Sequence, residues 1–98
     1  MAEFGAEFEV GPQDPLAVQR KRLRFRSWHR GTMEIDLLLG TFADQWLERF
    51  DEGQLRRYEA LLTNSDPDLY AWIVAGEAAP AEIDDELLEL LKKVKHEQ

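Results

Sequence analysis

The chain has 98 residues, 44% of them hydrophobic and 33% charged, with a formal net charge of -8 and no cysteine. That length bounds it to one domain with a modest core, and the missing thiols exclude disulfides, zinc-thiolate sites and thiol catalysis. The acidic balance argues against generic nucleic-acid binding, and no apolar run approaches the roughly 18 to 20 residues of a membrane span, so neither nucleic acid nor membrane is an expected partner.

The opening MAEFGAEFEVGPQDP is acidic. It lacks the apolar segment of a secretory signal and the Arg-rich, acid-poor character of a transit peptide, which predicts a protein that stays where it is made or one already processed. Residues 1–13, with a repeated AEF, read as a flexible arm, native or an expression scar. Residues 14–96 read as a single domain of five helices, because no segment alternates with period two while carrying β-branched residues.

Asp14-Pro15 predicts an N-cap followed by proline at the first helical position, and so a first helix over residues 15–28. Its apolar members Leu16, Val18, Leu23, Phe25 and Trp28 spread over more than half the circumference, which leaves some of them to face a partner. The same stretch holds Arg20, Lys21, Arg22, Arg24, Arg26 and Arg30, six of the twelve cations, with no acid between residues 15 and 33. That is either a solvated face or a local basic surface for an anionic partner.

A second helix is predicted from Thr32 to Phe50, with Ile35, Leu38, Leu39, Phe42, Trp46 and Phe50 on one arc facing the core. Gly40 inside it costs about 1 kcal/mol relative to Ala, which implies close helix packing or a bend. DEGQ, residues 51–54, reads as a break, after which Leu55, Tyr58, Leu61 and Leu62 give a third helix ending near Asn64.

SDPD repeats the opening device, with Asp66 as cap, Pro67 at the first position and Asp68 against the helix dipole; Leu69, Trp72 and Ile73 then point inward. Gly76 stops this fourth helix. In IDDELLELLKKVK, acids at the start and lysines at the end match the helix dipole, and Leu87, Leu90, Leu91 and Val94 make the apolar stripe of the fifth.

No phosphate loop, nucleophile elbow, HExxH or dinucleotide fingerprint is present, and His29 and His96 lie far apart. The sequence therefore offers no catalytic residues and no metal site. The exception is RGTME, where Arg30 and Glu34 are four apart beside Gly31 at the corner between the first two helices. A capping box fails there, because Thr32 as N-cap would require Glu or Gln at Ile35. Two readings stand side by side: Arg30 caps the carbonyl end of the first helix while Gly31 lets the chain reverse, or Gly31 leaves a bare corner for a partner's backbone.

At these residues the sequence resembles a known family. FRSWHRGTMEIDLLLG is similar to the Arg-Gly-x-x-Glu signature of the succinate dehydrogenase flavin-assembly factors, small helical proteins that promote covalent attachment of FAD to the flavoprotein subunit. Arg30, Gly31 and Glu34 match residue for residue, Trp28 precedes them, and Asp36 and Leu37 continue the match. SDPDLYAWI resembles the family's other marked stretch, with Asp66, Pro67, Asp68, Leu69 and Trp72 in place, so that the resemblance covers about residues 20–92.

The resemblance implies an all-α assembly factor that binds the FAD-loaded flavoprotein subunit of complex II, with the flavoprotein of fumarate reductase open as a second client. The bond to the flavin would be made by a histidine of the client. No cofactor would be held tightly by this chain, and the compartment would be the bacterial cytoplasm or, in a eukaryote, the mitochondrial matrix. Client-binding residues are then expected at Arg30, Gly31 and Glu34, extended by Arg24, Arg26, Trp28 and Asp36 and by Asp66 and Asp68 of the second stretch. The alternative is a helical nucleic-acid-binding or regulatory module using the basic first helix.

Overall fold

The computed structural model describes residues 14–97, and the expected arm over residues 1–13 lies outside them. Among the described residues the chain forms five α-helices and no strand: α1 (Pro15–Trp28), α2 (Met33–Trp46), α3 (Glu52–Leu61), α4 (Asp66–Ile73) and α5 (Asp85–Glu97), with a 3₁₀ turn at Leu47–Arg49. α1 has the predicted bounds because its start is a local device: Asp14 accepts a hydrogen bond from the Leu16 amide at 3.0 Å, with Pro15 behind it.

Several boundaries differ from the sequence expectation; α3, for one, ends at Leu61 instead of near Asn64. α2 stops at Trp46 instead of Phe50 and tightens into the 3₁₀ turn, where the Phe50 amide donates to the Leu47 carbonyl at 3.3 Å; Arg20 of α1 fastens this end by donating from Nε to the Leu47 carbonyl and from Nη2 to the Phe50 carbonyl, both at 2.7 Å. α3 starts at Glu52 because DEGQ is a capping box and not a break: Asp51 accepts from the Gln54 amide and Gln54 from the Asp51 amide, each at 2.9 Å. α4 is capped by Ser65, whose Oγ accepts from the Asp68 amide at 3.2 Å, which releases the Asp66 side chain for other work. Gly76, at φ +76°, ends that helical region as expected.

The core is one cluster drawn from all five helices. Leu23 is the buried apolar anchor of α1, Ile35, Leu38, Leu39 and Phe42 supply α2, and Leu55, Tyr58, Leu69, Trp72, Leu87, Leu88, Leu91 and Val94 complete it. Leu88 joins the α5 stripe while Leu90 stays half-buried. At its centre Tyr58 stacks on Phe42, ring centroids 5.3 Å apart. Ser27 donates from Oγ to the Leu23 carbonyl at 2.7 Å, so the 2.6 Å contact between Ser27 Oγ and Tyr58 Oη is a bond donated by the phenol. Burial holds that phenol well above its ordinary range.

Gly40 explains how α1 and α2 approach. A Cβ built there would stand 2.1 Å from Cδ2 of Trp28 and 2.3 Å from its Cε2, so the glycine is the floor of a slot that holds the indole. On another edge, Arg57 of α3 donates from Nε and Nη2 to both oxygens of Asp84, at 2.5 and 2.9 Å, and Asp84 in turn accepts from the Leu87 amide at the start of α5. The Arg57 hydrogen bond holds the Asp84 carboxyl below the usual carboxylate range.

Candidate functional site

His29 to Thr32 turn the chain between α1 and α2. Gly31 sits at φ +109°, where an L side chain is strained, yet a Cβ there would meet nothing within 4 Å. The glycine is thus required by the backbone and leaves open space above it. Thr32 is the N-cap of α2, but its side chain caps nothing. The free amides of the corner are met from within the helix: Asp36 Oδ1 accepts from Arg30 N at 2.7 Å and Gly31 N at 3.1 Å. Sequence reasoning looked for this reach-back at position 35 and so missed it at 36.

Arg30 does not pair with Glu34, and it does not cap α1. Its Nε donates to Asp66 Oδ1 at 2.9 Å, Nη1 to the Leu62 carbonyl and Nη2 to the Asn64 carbonyl, both at 2.6 Å. An exposed i,i+4 pair is worth about 0.3–0.5 kcal/mol, whereas these are charge-assisted bonds at the carbonyl end of α3, where the helix dipole favours a cation. The other oxygen of Asp66 accepts from Thr32 Oγ1 at 2.8 Å. The Arg30 and Asp66 side chains are only 14% and 18% exposed. One guanidinium therefore clamps the corner, the end of α3 and the start of α4, and it joins the two stretches that the sequence marked separately.

The remaining predicted site residues divide in the same way. Arg24 lies 3.2 Å from Asp44 and 3.3 Å from Glu48, and Arg26 pairs with Glu59 at 3.4 Å. Trp28 occupies its slot over Gly40, with Nε1 3.4 Å from Asp44. Asp68 is exposed in the first turn of α4. Arg20 is spent on the carbonyls after α2, so four of the six cations of the basic stretch are committed within the chain, which leaves the nucleic-acid alternative without support.

Glu34 stands apart from this clamp. It is exposed in the first turn of α2 and makes no hydrogen bond or ion pair among the described residues. Beside it Met33 is 85% exposed. Met33 and Leu37 lie two residues either side of buried Ile35, a spacing that on a helix turns both away from the core. That offset was a readable signal of a second apolar face. A groove of about 630 Å³ opens next to the corner, lined by Phe25, Arg26, His29, Arg30, Thr32, Asp66 and Pro67. An apolar hollow of about 180 Å³ continues it over Ile35 and Tyr70. Among the described residues no cluster of three or more His, Asp or Glu is placed to hold a metal, and no helix is long and apolar enough to cross a membrane.

The arrangement can bind but has no nucleophile-base pair: it presents a carboxylate, a bare glycine and apolar side chains on a braced corner. Comparison with known proteins gives the same region a family. A family model described as flavinator of succinate dehydrogenase matches residues 21–95. The chain is 37% identical over 95 residues to succinate dehydrogenase assembly factor 2-B, mitochondrial, of Drosophila willistoni, covering 94% of this chain and 61% of that protein. It is 38% identical over 89 residues to succinate dehydrogenase assembly factor 2, mitochondrial, of Drosophila virilis, covering 89% and 56%. The chain thus spans little more than half the length of the curated relatives it matches.

Proposed function

Because the chain belongs to the flavinators of succinate dehydrogenase, we propose that it binds the FAD-loaded flavoprotein subunit of that enzyme and promotes covalent attachment of the flavin. It acts as an accessory: the bond is made by the client's own residues, and FAD remains the client's cargo, not a tightly held cofactor of this chain. The flavoprotein of fumarate reductase is a second candidate client. The compartment is that of the client, the mitochondrial matrix in a eukaryote or the cytoplasm in a bacterium, in keeping with relatives whose names carry the word mitochondrial.

The observation that carries this reading is the division of labour at the corner. Arg30, Asp36 and Asp66 use their polar atoms inside the fold, so they position the corner. Glu34 and Gly31, with no such commitment of side chain or space, make the contact with the client. Asp68, exposed in the first turn of α4, is a further contact; Trp28 and Arg24 act by holding α1 against α2 and the turn after it, and Arg26 by holding α1 against α3 through Glu59. An exposed carboxylate with no partner of its own is free to turn its oxygens to a client, and the braced backbone beneath it keeps the ordering cost of binding to that one side chain.

The test is covalent flavin on the purified flavoprotein subunit, read as in-gel fluorescence after denaturation, with and without this protein. Flavin that accumulates only, or much faster, in its presence supports the proposal; equal flavin in both lanes refutes it.

A further inference from the structure

We infer that the outward face of α1 is a second docking surface for the client, one that takes an acidic stretch of the client carrying an apolar pocket for Phe25. The identity of the partner rests on the proposed function; the site rests on the geometry of α1.

Val18, Arg22, Phe25 and His29 recur at offsets of 4, 7 and 11, which on a helix is a single stripe, with Lys21 at its edge. All five are exposed. Phe25 is 63% exposed, and its position is fixed: the His29 ring stacks on it with centroids 4.0 Å apart and planes at 18°, while Nδ1 of His29 donates to the Phe25 carbonyl at 2.7 Å. An aromatic side chain held in place in water is the preorganised anchor that binding surfaces use.

The charges point to the same occupant. Arg20, Arg24, Arg26 and Arg30 are all engaged by acceptors of their own chain. Arg22 within the stripe and Lys21 at its edge have no hydrogen bond or ion pair among the described residues. Elsewhere the chain is acidic enough to reach a net charge of -8, so an anionic partner is repelled by most of the surface and attracted here, which orients encounter as well as strengthening it. The stripe also ends where the corner begins, since Phe25 and His29 line the groove beside Arg30 and Thr32. At about 1.5 Å per residue it extends the contact by roughly 16 Å along α1, so one client surface can cover both.

The test measures association and dissociation rates of the full chain with the FAD-loaded flavoprotein subunit at about 50 and 200 mM salt. Lys21→Glu/Arg22→Glu should slow association about tenfold at low salt and flatten its salt dependence, and Phe25→Ala should speed dissociation about tenfold. Lys21→Arg/Arg22→Lys should behave as the wild type. Thermal melts accompany each variant, and Phe25→Leu, which keeps an apolar side chain on the helix, replaces Phe25→Ala if the latter loses stability. Wild-type binding with charge-reversed and Phe25 variants that bind alike at both salts would overturn this inference alone. A wild type that does not bind the flavoprotein at all would overturn the proposed function and this inference with it.

Discussion

Gly40→Ala adds one methyl group to the floor of the Trp28 slot. The new Cβ would lie 2.1, 2.3 and 2.4 Å from Cδ2, Cε2 and Cε3 of the indole, against about 3.5–4.0 Å for ordinary carbon contacts. An overlap above about 1 Å with a rigid bicycle cannot be absorbed by a rotamer adjustment, so the ring must leave. Helix propensity favours Ala over Gly by about 1 kcal/mol, but expelling a half-buried Trp and separating α1 from α2 costs about 2–4 kcal/mol. The net destabilisation is about 1–3 kcal/mol, or a fall in Tm of roughly 5–20 °C for a domain of this size. Thermal melts of the single and double variants decide it, because in a Trp28→Ala background the methyl group meets open space and Gly40→Ala should stabilise by about 0.5–1 kcal/mol. The same response in both backgrounds, or a Gly40→Ala variant as stable as the wild type, would refute the slot.

Three further outcomes follow from the corner and the core. Asp66→Ala strips Arg30 and Thr32 of their shared acceptor and leaves a largely buried guanidinium short of a partner, which should cost about 3 kcal/mol in a urea melt. Gly31→Ala has room but the wrong backbone conformation, so it should cost about 1–2 kcal/mol while far-ultraviolet circular dichroism stays helical. The raised Tyr58 phenol keeps its proton in the folded state when the unfolded chain loses it, so its contribution is full below about pH 10 and is lost as pH rises from there towards the folded value. Stability measured from pH 9 to 11 should fall in the wild type and fall less in Tyr58→Phe.

The sequence made the local devices legible and hid the long-range ones. Asp14-Pro15 fixes the start of α1 through neighbours in the chain, and the 3.6-residue recurrence of Ile35, Leu38, Leu39 and Phe42 marks the buried face of α2 without further help. The tie that fastens the end of α2 to α1 was not legible, because it comes from Arg20, 27 residues before the carbonyl it takes. Asp51 and Gln54 form a capping box that a glycine at position 53 disguises as a break. At the corner the residue types were readable but their partners were not. Arg30 has a plausible mate four residues away in Glu34, yet its bond is to Asp66, 36 residues on. Local spacing offers the weaker pair; tertiary packing supplies carbonyls at a helix end that no spacing rule contains.

Glu34→Gln and Arg30→Ala, assayed side by side for Tm and for covalent flavin on the succinate dehydrogenase flavoprotein, test the central claim that one residue of the corner contacts the client while the other holds the corner in place. Glu34→Gln should melt within about 2 °C of the wild type, as exposed substitutions do, and lose most of its flavinylation; Arg30→Ala should lose Tm by 10 °C or more, on the order of 2–3 kcal/mol. A Glu34→Gln variant that flavinylates as the wild type does, or an Arg30→Ala variant of unchanged Tm, would contradict that division.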